Sequence, residues 1–129
     1  MIILLDTNIL IDVLNNRRQR PQLLQQLANE NHSLVCCSIV ITELYAGLRD
    51  EHWPDAEQLL SGLVFLPVSS EAAKLAGIFK HRYARQGIAL SLMDTTVAAV
   101  AVTNDLMLLT DNTRDFPLSE IKLYPLPQN

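Results

Sequence analysis

Residues 1–14 read MIILLDTNILIDVL, and this stretch decides the fold. Residues 1–5 form a short, continuous apolar run, which is the pattern of a buried strand. Asp6 ends that run, and Thr7–Leu14 places its apolar residues at helical spacing. A buried strand that leads at once into a helix is the beginning of a strand, helix, strand unit. The start of the chain therefore predicts an α/β fold with parallel strands.

The rest of the chain repeats this alternation of strand and helix. Further strands are predicted at residues 34–37, 64–68, 107–110 and 122–124. Further helices are predicted at residues 21–31, 38–49, 53–60, 70–85 (capped by Ser70) and 93–102. We expect one three-layer α/β domain over residues 1–129, in which a mostly parallel central sheet is flanked by helices.

Composition limits the class of protein. With 49% hydrophobic and 19% charged residues, the chain has the balance of a globular domain that buries a core. No apolar stretch reaches the roughly 18 residues of a membrane span, and the N-terminus lacks the basic start of a signal peptide, so we expect a cytoplasmic protein. Cys36 and Cys37 are adjacent, which is neither a C-x-x-C redox motif nor the pattern of a disulfide framework. They fall in the apolar run SLVCC, which predicts two buried core residues.

Acidic residues stand at the edges of apolar segments, where apolar side chains are expected. Asp6 ends the first strand, Glu43 interrupts SIVITELYAGL, and Asp94 precedes TTVAAVAV. Asp111 and Asp115 follow the apolar run LMLLT. Asp6, Glu43 and Asp94 have no basic residue three or four positions away, which is the spacing of helical ion pairs. Their charges are therefore not explained by local pairing.

We expect these acids to meet at one edge of the sheet, because ligands of parallel α/β folds bind outside the carboxyl ends of the strands. Two carboxylates about 4 Å apart repel by roughly 4 kcal/mol at an effective dielectric of about 20, so their convergence calls for a cation. Oxygen ligands without nitrogen or sulfur suit Mg²⁺ or Mn²⁺. A metal-bound water in such a site can hydrolyse a phosphodiester bond.

Each acid also has a purely structural explanation. Asp6 could simply cap the helix that follows it. Ser91 and Asp94 match the S-x-x-D pattern of a capping box. Glu43 could be a half-exposed residue on a helix face, and residues 111–115 have the composition of a turn. Taken one at a time, the acids do not decide between a site and these alternatives.

Four segments in order make the chain resemble the PIN-domain ribonucleases, and among them the VapC-type toxins of bacterial toxin–antitoxin pairs. The segments are LLDTNILIDVL, ITELYAGL, MDTTVAAVAV and LLTDNTRDF, which together span essentially the whole chain. The resemblance implies a PIN-like fold and an endoribonuclease that depends on Mg²⁺ or Mn²⁺ and leaves 5′-phosphate ends. It also implies an RNA substrate, a cognate antitoxin protein and a homodimer.

The resemblance further implies a role for individual residues. Asp6 and Asp94 are expected to be the main metal ligands. Glu43 is expected to be a further ligand or a base that orients water, and Thr7 and Asn8 are expected to position the site.

The fourth acidic position departs from the family pattern. The family often has an acid two residues after the threonine of the LLT segment, where this chain has Asn112 between Asp111 and Asp115. We expect Asp115 to be the fourth catalytic residue, because it precedes Phe116 as in the family pattern and has no basic residue at helical spacing. Asp111 has Arg114 three residues on, so we expect those two to form an ion pair.

Two other functions compete with the toxin nuclease. The first is a catalytically weak PIN-like module that acts through a DNA-binding partner. The second is a Mg²⁺-dependent phosphatase or receiver-like domain, since such proteins also place acids at strand ends. It fits poorly, because the chain has no D-x-D nucleophile motif and no suitably placed lysine after a late strand.

Overall fold

Five strands form one parallel sheet in the computed structural model, which describes residues 1–126. The strands are β1 (Ile2–Leu5), β2 (Ser33–Cys37), β3 (Val64–Leu66), β4 (Met107–Leu109) and β5 (Lys122–Leu123). Their order is β3-β2-β1-β4-β5, and every neighbouring pair is parallel. The predicted parallel sheet is confirmed, while the last three positions of the expected 1–129 domain lie outside the described residues.

Helices connect these strands and flank the sheet, as predicted. They are α1 (Thr7–Leu14), α2 (Arg20–Asn29), α3 (Ser38–Gly47), α4 (Trp53–Ser61), α5 (Ser70–Ala84) and α6 (Leu92–Thr103). Two short 3₁₀ helices, Asp50–His52 and Thr113–Asp115, lie in the connections. In the described part of the chain, no helix is both long and apolar enough to cross a membrane.

The element ends differ from the prediction where local chemistry intervenes. Ser69, not Ser70, is the N-cap of α5, because the Ser69 hydroxyl accepts a hydrogen bond from the backbone N–H of Ala72 at 3.0 Å. Strand β3 ends before Pro67, which has no N–H to donate to a neighbouring strand. Helix α3 ends at Gly47 because Leu48 adopts extended backbone.

The core lies around the central strands and α6. The side chains of β1 and β4 that follow Ile2 and Met107 are fully buried, and α6 buries a run of alanines and valines. Small side chains let α6 approach its neighbours closely, and α5 packs along it. Cys36 and Cys37 are buried, as predicted, and burial raises the pKa of the Cys36 thiol to about 12.

The order of the strands creates a crevice between β1 and β4. The chain builds the sheet from β1 through β2 to β3, then crosses to the other side of β1 to add β4 and β5. Such a switch point opens a crevice outside the carboxyl ends of the two central strands. Asp6 follows β1 there, and its backbone N–H donates to the carbonyl of Leu109 at 3.0 Å. The fold thus places Asp6 beside the segment that follows β4.

Candidate functional site

A pocket of about 490 Å³ opens at this crevice, and four acids line it: Asp6, Glu43, Asp94 and Asp115. We call it the acidic pocket. Its other lining residues are Thr7, Asn8, Ile11, Gly47, Ser91, Met93 and Asn112. Folding therefore brings together all four acids that the sequence singled out as catalytic, from four separate segments of the chain.

The charges in the acidic pocket are not neutralised by the protein. Within residues 1–126, no basic side chain forms a salt bridge with any of the four acids. Burial raises the pKa of Asp94, and the negative charges of Asp115, Asp6 and Glu43 raise it further. Burial, with a smaller contribution from Glu43, also raises the pKa of Asp6. The acids therefore share one electrostatic environment.

Asp6 is fixed by hydrogen bonds at both carboxylate oxygens. Its Oδ1 accepts from the backbone N–H of Thr7 at 2.8 Å, so Asp6 does cap α1. Its Oδ2 accepts from the amide of Asn8 at 3.1 Å and from the hydroxyl of Thr110 at 2.8 Å. Asp6 is only 6% exposed. The capping explanation is correct, yet it accounts for one oxygen only, and the same side chain also lines the acidic pocket.

Asn8 links Asp6 to the segment after β4. The Oδ1 of Asn8 accepts a hydrogen bond from the backbone N–H of Asp111 at 3.1 Å. Because a backbone N–H can only donate, the side-chain nitrogen of Asn8 must be the atom that faces Asp6. That nitrogen also donates to the Thr110 hydroxyl at 3.2 Å. Sequence reasoning missed Thr110; its one signal was a polar residue directly after a buried strand. Asn8 and Thr110 together set the orientation of Asp6.

Asp94 is positioned by the start of α6. The hydroxyl of Ser91, the N-cap, accepts from the backbone N–H of Asp94 at 3.0 Å, which is one half of the predicted capping box. The ammonium group of Lys80 donates to the carbonyl of Leu90 at 2.5 Å and so holds the segment just before the cap. Asp94 is partly buried and lines the acidic pocket from the first turn of α6.

Glu43 and Asp115 differ from the other two acids in exposure. Glu43 lies in α3 and Asp115 ends the 3₁₀ helix after β4, and both are exposed to solvent. The backbone N–H of Asp115 donates to the carbonyl of Asn112 at 3.0 Å, so this segment is a turn as well as part of the pocket wall. The acidic pocket thus combines two buried or partly buried acids, Asp6 and Asp94, with two solvent-exposed acids at its rim, Glu43 and Asp115.

Asp111 is paired, but not with Arg114 as predicted. Its Oδ1 accepts from Nη2 of Arg20 at 2.6 Å, and its Oδ2 lies 3.5 Å from Nη1 of Arg18. The prediction was wrong because it considered only residues at helical spacing, whereas Arg20 lies 91 positions away in sequence. Asp111 does not line the acidic pocket.

The donor set fits a hard divalent cation. The pocket lining offers carboxylates, an asparagine and hydroxyls, and neither histidine nor cysteine. The Thr7 hydroxyl is buried there and has no hydrogen-bond partner among the described residues. In that part of the chain, no group of three or more aspartate, glutamate, histidine or cysteine side chains lies close enough together to hold a metal ion without rearrangement. An open, all-oxygen site suits Mg²⁺ or Mn²⁺, which keep several waters and need only one or two carboxylates.

Fold and pocket define an α/β protein with an acid-rich site at the switch point of a parallel sheet. The PIN domain family matches residues 3–121, so the chain belongs to the PIN-domain family. Ribonuclease VapC19 of Mycobacterium tuberculosis is 31% identical over 115 residues, which cover 89% of this chain and 92% of that protein. The resemblance predicted from the four sequence segments is confirmed.

Two further comparisons agree. Ribonuclease VapC2 of Haemophilus influenzae is 32% identical over 119 residues, which cover 88% of each chain. The fold matches a chain in the crystal structure of VapBC2 from Rickettsia felis bound to a DNA fragment from their promoter, with a TM-score of 0.85 and 24% identity. That match covers 96% of this chain and 98% of the other.

Proposed function

We propose that this protein is a PIN-domain endoribonuclease and the toxin of a toxin–antitoxin pair, and that it hydrolyses RNA with a Mg²⁺ or Mn²⁺ ion held in the acidic pocket. One observation carries the proposal: four carboxylates from separate segments line one pocket, and no basic residue within 1–126 pairs with them. Two relatives about 30% identical to the chain are named ribonucleases, which supports RNA as the substrate.

The four acids of the acidic pocket have different roles, which follow from how deeply each is buried. Asp6 and Asp94, which the fold holds in place, serve as the main ligands, and exposed Glu43 serves as a further ligand or orients the attacking water. Asp115 completes the site from the rim. A divalent ion held by these residues would supply a water of lowered pKa and positive charge beside the phosphate. Thr7 lines the acidic pocket, and its buried hydroxyl has no hydrogen-bond partner among the described residues, so we expect Thr7 to help position the site.

Charge balance explains why the cation also matters for binding RNA. The formal net charge is −4, from 10 basic and 14 acidic residues. Without the four pocket acids, 10 basic residues would face 10 acidic ones, so the rest of the chain is neutral overall. The acidic pocket alone therefore repels phosphate, and a divalent ion offsets that repulsion at the point where the phosphate must approach.

A cation test distinguishes this enzyme from a non-catalytic PIN-like module. Purified protein without a partner is incubated with total bacterial RNA in Mg²⁺, in Mn²⁺ or in chelator. We expect cleavage with either metal, none in chelator, and none from Asp94→Asn. The matched control is Asp105→Asn, an exposed acid whose carboxylate lies 2.8 Å from Lys122, and this variant should cleave normally. Full cleavage in chelator contradicts the mechanism, and a folded but inactive wild type favours the interaction module.

Product ends test the identity of the nucleophile. Attack by water leaves 5′-phosphate and 3′-hydroxyl ends, and it does not use the ribose 2′-hydroxyl of the substrate. We therefore expect an RNA with a single deoxynucleotide at the cut site to be cleaved still, with 5′-phosphate on the downstream fragment. Cyclic phosphate ends would show that the substrate hydroxyl attacks, and would contradict a metal-activated water.

The partner and the assembly follow from the same assignment. The similar chain from Rickettsia felis comes from a crystal structure of VapBC2 bound to a DNA fragment from their promoter, which supports an antitoxin partner for this chain. The homodimer and the cytoplasmic location stay predictions. Sedimentation of the purified chain, alone and with the product of a neighbouring small gene, measures both associations.

A further inference from the structure

Arg20 is a buried cation outside the acidic pocket. It is the first residue of α2 and only 3% exposed, and its Nη2 lies 2.6 Å from Oδ1 of Asp111. Its Nε has no hydrogen-bond partner among the described residues. Buried ion pairs are weak stabilisers, because desolvation of both charges offsets most of their attraction. The fold alone therefore gives little reason to bury an arginine here.

The turn that leads to Arg20 contains three residues with positive φ. Asn16, Arg18 and Gln19 have φ values of 52°, 54° and 56°, in the left-handed region, which asparagine tolerates but arginine and glutamine rarely adopt. Gln19 is also the N-cap of α2, and its side chain forms no capping hydrogen bond. Strain of this kind persists only where surrounding contacts hold it. Backbone hydrogen bonds from Arg17 to Asp12 at 2.8 Å and from Arg20 to Arg17 at 3.0 Å hold part of this turn. The side-chain contact of Arg20 with Asp111 and a 3.4 Å hydrogen bond from Nη1 of Arg20 to the carbonyl of Arg18 add to them.

A short chain of contacts joins Arg20 to the acidic pocket. The Asp111 side chain accepts from Arg20, and the backbone N–H of the same residue donates to Asn8 at 3.1 Å. Asn8 in turn donates to Oδ2 of Asp6 at 3.1 Å. The guanidinium thus fixes Asp111, whose backbone determines which end of the Asn8 amide faces Asp6. Neither Arg20 nor Asp111 lines the acidic pocket.

We propose that Arg20 is a positioning residue for Asp6: by holding Asp111 it keeps the Asn8 amide directed at the Asp6 carboxylate. The inference rests on the proposed function wherever catalysis is measured, but not where the orientation of Asn8 is measured. Residues that orient a metal ligand typically change metal affinity or activity by about 10- to 100-fold when replaced. We expect an effect in that range from the loss of Arg20.

The test must separate an effect on the orientation of Asn8 from an effect on stability, because replacing Arg20 alone would leave the partly buried Asp111 charge without its closest partner. The double variant Arg20→Met/Asp111→Leu replaces the ion pair by apolar side chains, a change that often preserves stability. Arg20→Lys keeps the charge but not the planar, two-pronged guanidinium. The matched control is Lys122→Met/Asp105→Asn, which removes an exposed ion pair of 2.8 Å between residues that do not line the acidic pocket.

Three measurements are made on each full-length folded variant. Side-chain amide NMR signals of Asn8 are recorded without metal, Mn²⁺ affinity is measured by calorimetry, and kcat and KM are measured on a short RNA. For Arg20→Met/Asp111→Leu we expect displaced Asn8 signals with faster hydrogen exchange, Mn²⁺ binding weakened about 10-fold or more, and kcat reduced with KM little changed. Arg20→Lys should fall between this variant and wild type, and the control should match wild type.

The outcomes separate the two proposals. If the folded double variant keeps wild-type Asn8 signals and Mn²⁺ affinity, Arg20 is not a positioning residue and this inference is overturned. If wild type cleaves no RNA but the double variant still displaces the Asn8 signals and weakens Mn²⁺ binding, the proposed function fails while the positioning role stands. Should the double variant not fold, Arg20→Lys decides, and wild-type Asn8 signals and Mn²⁺ affinity in it overturn the inference.

Discussion

Asp111 and Asp115 lie on the same short segment, yet the protein treats their charges in opposite ways. Asp111 is held against two arginines, at 2.6 Å and 3.5 Å, and does not line the acidic pocket. Asp115 lines that pocket with three other acids and forms no salt bridge within the described residues. The charge of Asp111 is neutralised by arginines of the same chain, whereas the charge of Asp115 is available to a ligand of the acidic pocket. The difference shows that an acidic side chain without a basic partner in the fold is a better candidate for a site residue than one that forms an ion pair.

Replacing an acid held in place by the fold should produce the largest effect. Asp94→Asn is expected to reduce the cleavage rate by roughly 10³-fold or more, because a neutral amide binds a hard cation poorly. Its metal-free stability should stay the same or rise, since one of four mutually repelling charges is gone and asparagine is tolerated near a helix start. Single-turnover cleavage with excess Mg²⁺ and thermal unfolding in chelator measure the two quantities. Unchanged cleavage would remove Asp94 from the site.

Asp111→Asn should lower stability strongly and the cleavage rate only by about 10-fold, through the weakened contact with Arg20. The change leaves the Arg20 guanidinium buried without a countercharge, so we expect a loss of about 3 kcal/mol in the free energy of unfolding. Denaturant unfolding measures the loss, and Asp105→Asn serves as the exposed control. A stable Asp111→Asn protein with a rate reduced as strongly as that of Asp94→Asn would make Asp111 the ligand and break the comparison.

Asp115→Asn tests the fourth acid. We expect a rate about 10²-fold lower, the cost of losing one positioned electrostatic group, with little change in stability because the side chain is exposed. Excess Mg²⁺ in a single-turnover assay hides a mere loss of metal affinity and exposes a loss of chemistry. A rate within twofold of wild type would show that three acids suffice and that this segment is only a turn.

The smallest expected effect is on the dependence of stability on pH. Burial raises the folded-state pKa of Asp6 and of Asp94 above the ordinary value of 3.8. At pH values between 3.8 and the raised pKa, the folded chain therefore binds more protons than the unfolded chain. The metal-free protein should therefore lose stability as pH rises through that window. Saturating Mn²⁺ should remove or reverse the trend, because the ion replaces the protons. Melting temperatures from about pH 4 to 7, with chelator or with Mn²⁺, check this, and a flat profile in both would contradict it.

The periodicity of apolar residues predicted the strands and helices, and the positions of the acids at the ends of these elements then predicted that the acids lie at one edge of the sheet. A buried run such as residues 1–5 leaves few alternatives to a strand, and the carboxyl ends of parallel strands share one edge. The partner of Asp111 was not predictable in this way, since Arg20 reaches it only through the fold. The hydrogen bond from Thr110 to Asp6 spans 104 positions and was missed for the same reason. Long-range polar contacts carry no periodic signal.

The spread of the four acids along the sequence also sets when a newly made chain can become active. Asp6 is translated 109 residues before Asp115, which follows β4. At typical synthesis rates of about 5 to 20 residues per second, that interval is roughly 5 to 20 s. During this time the nascent chain lacks the strand beside Asp6 and part of the pocket wall. The four acids of the acidic pocket therefore cannot come together until the segment after β4 has been synthesised.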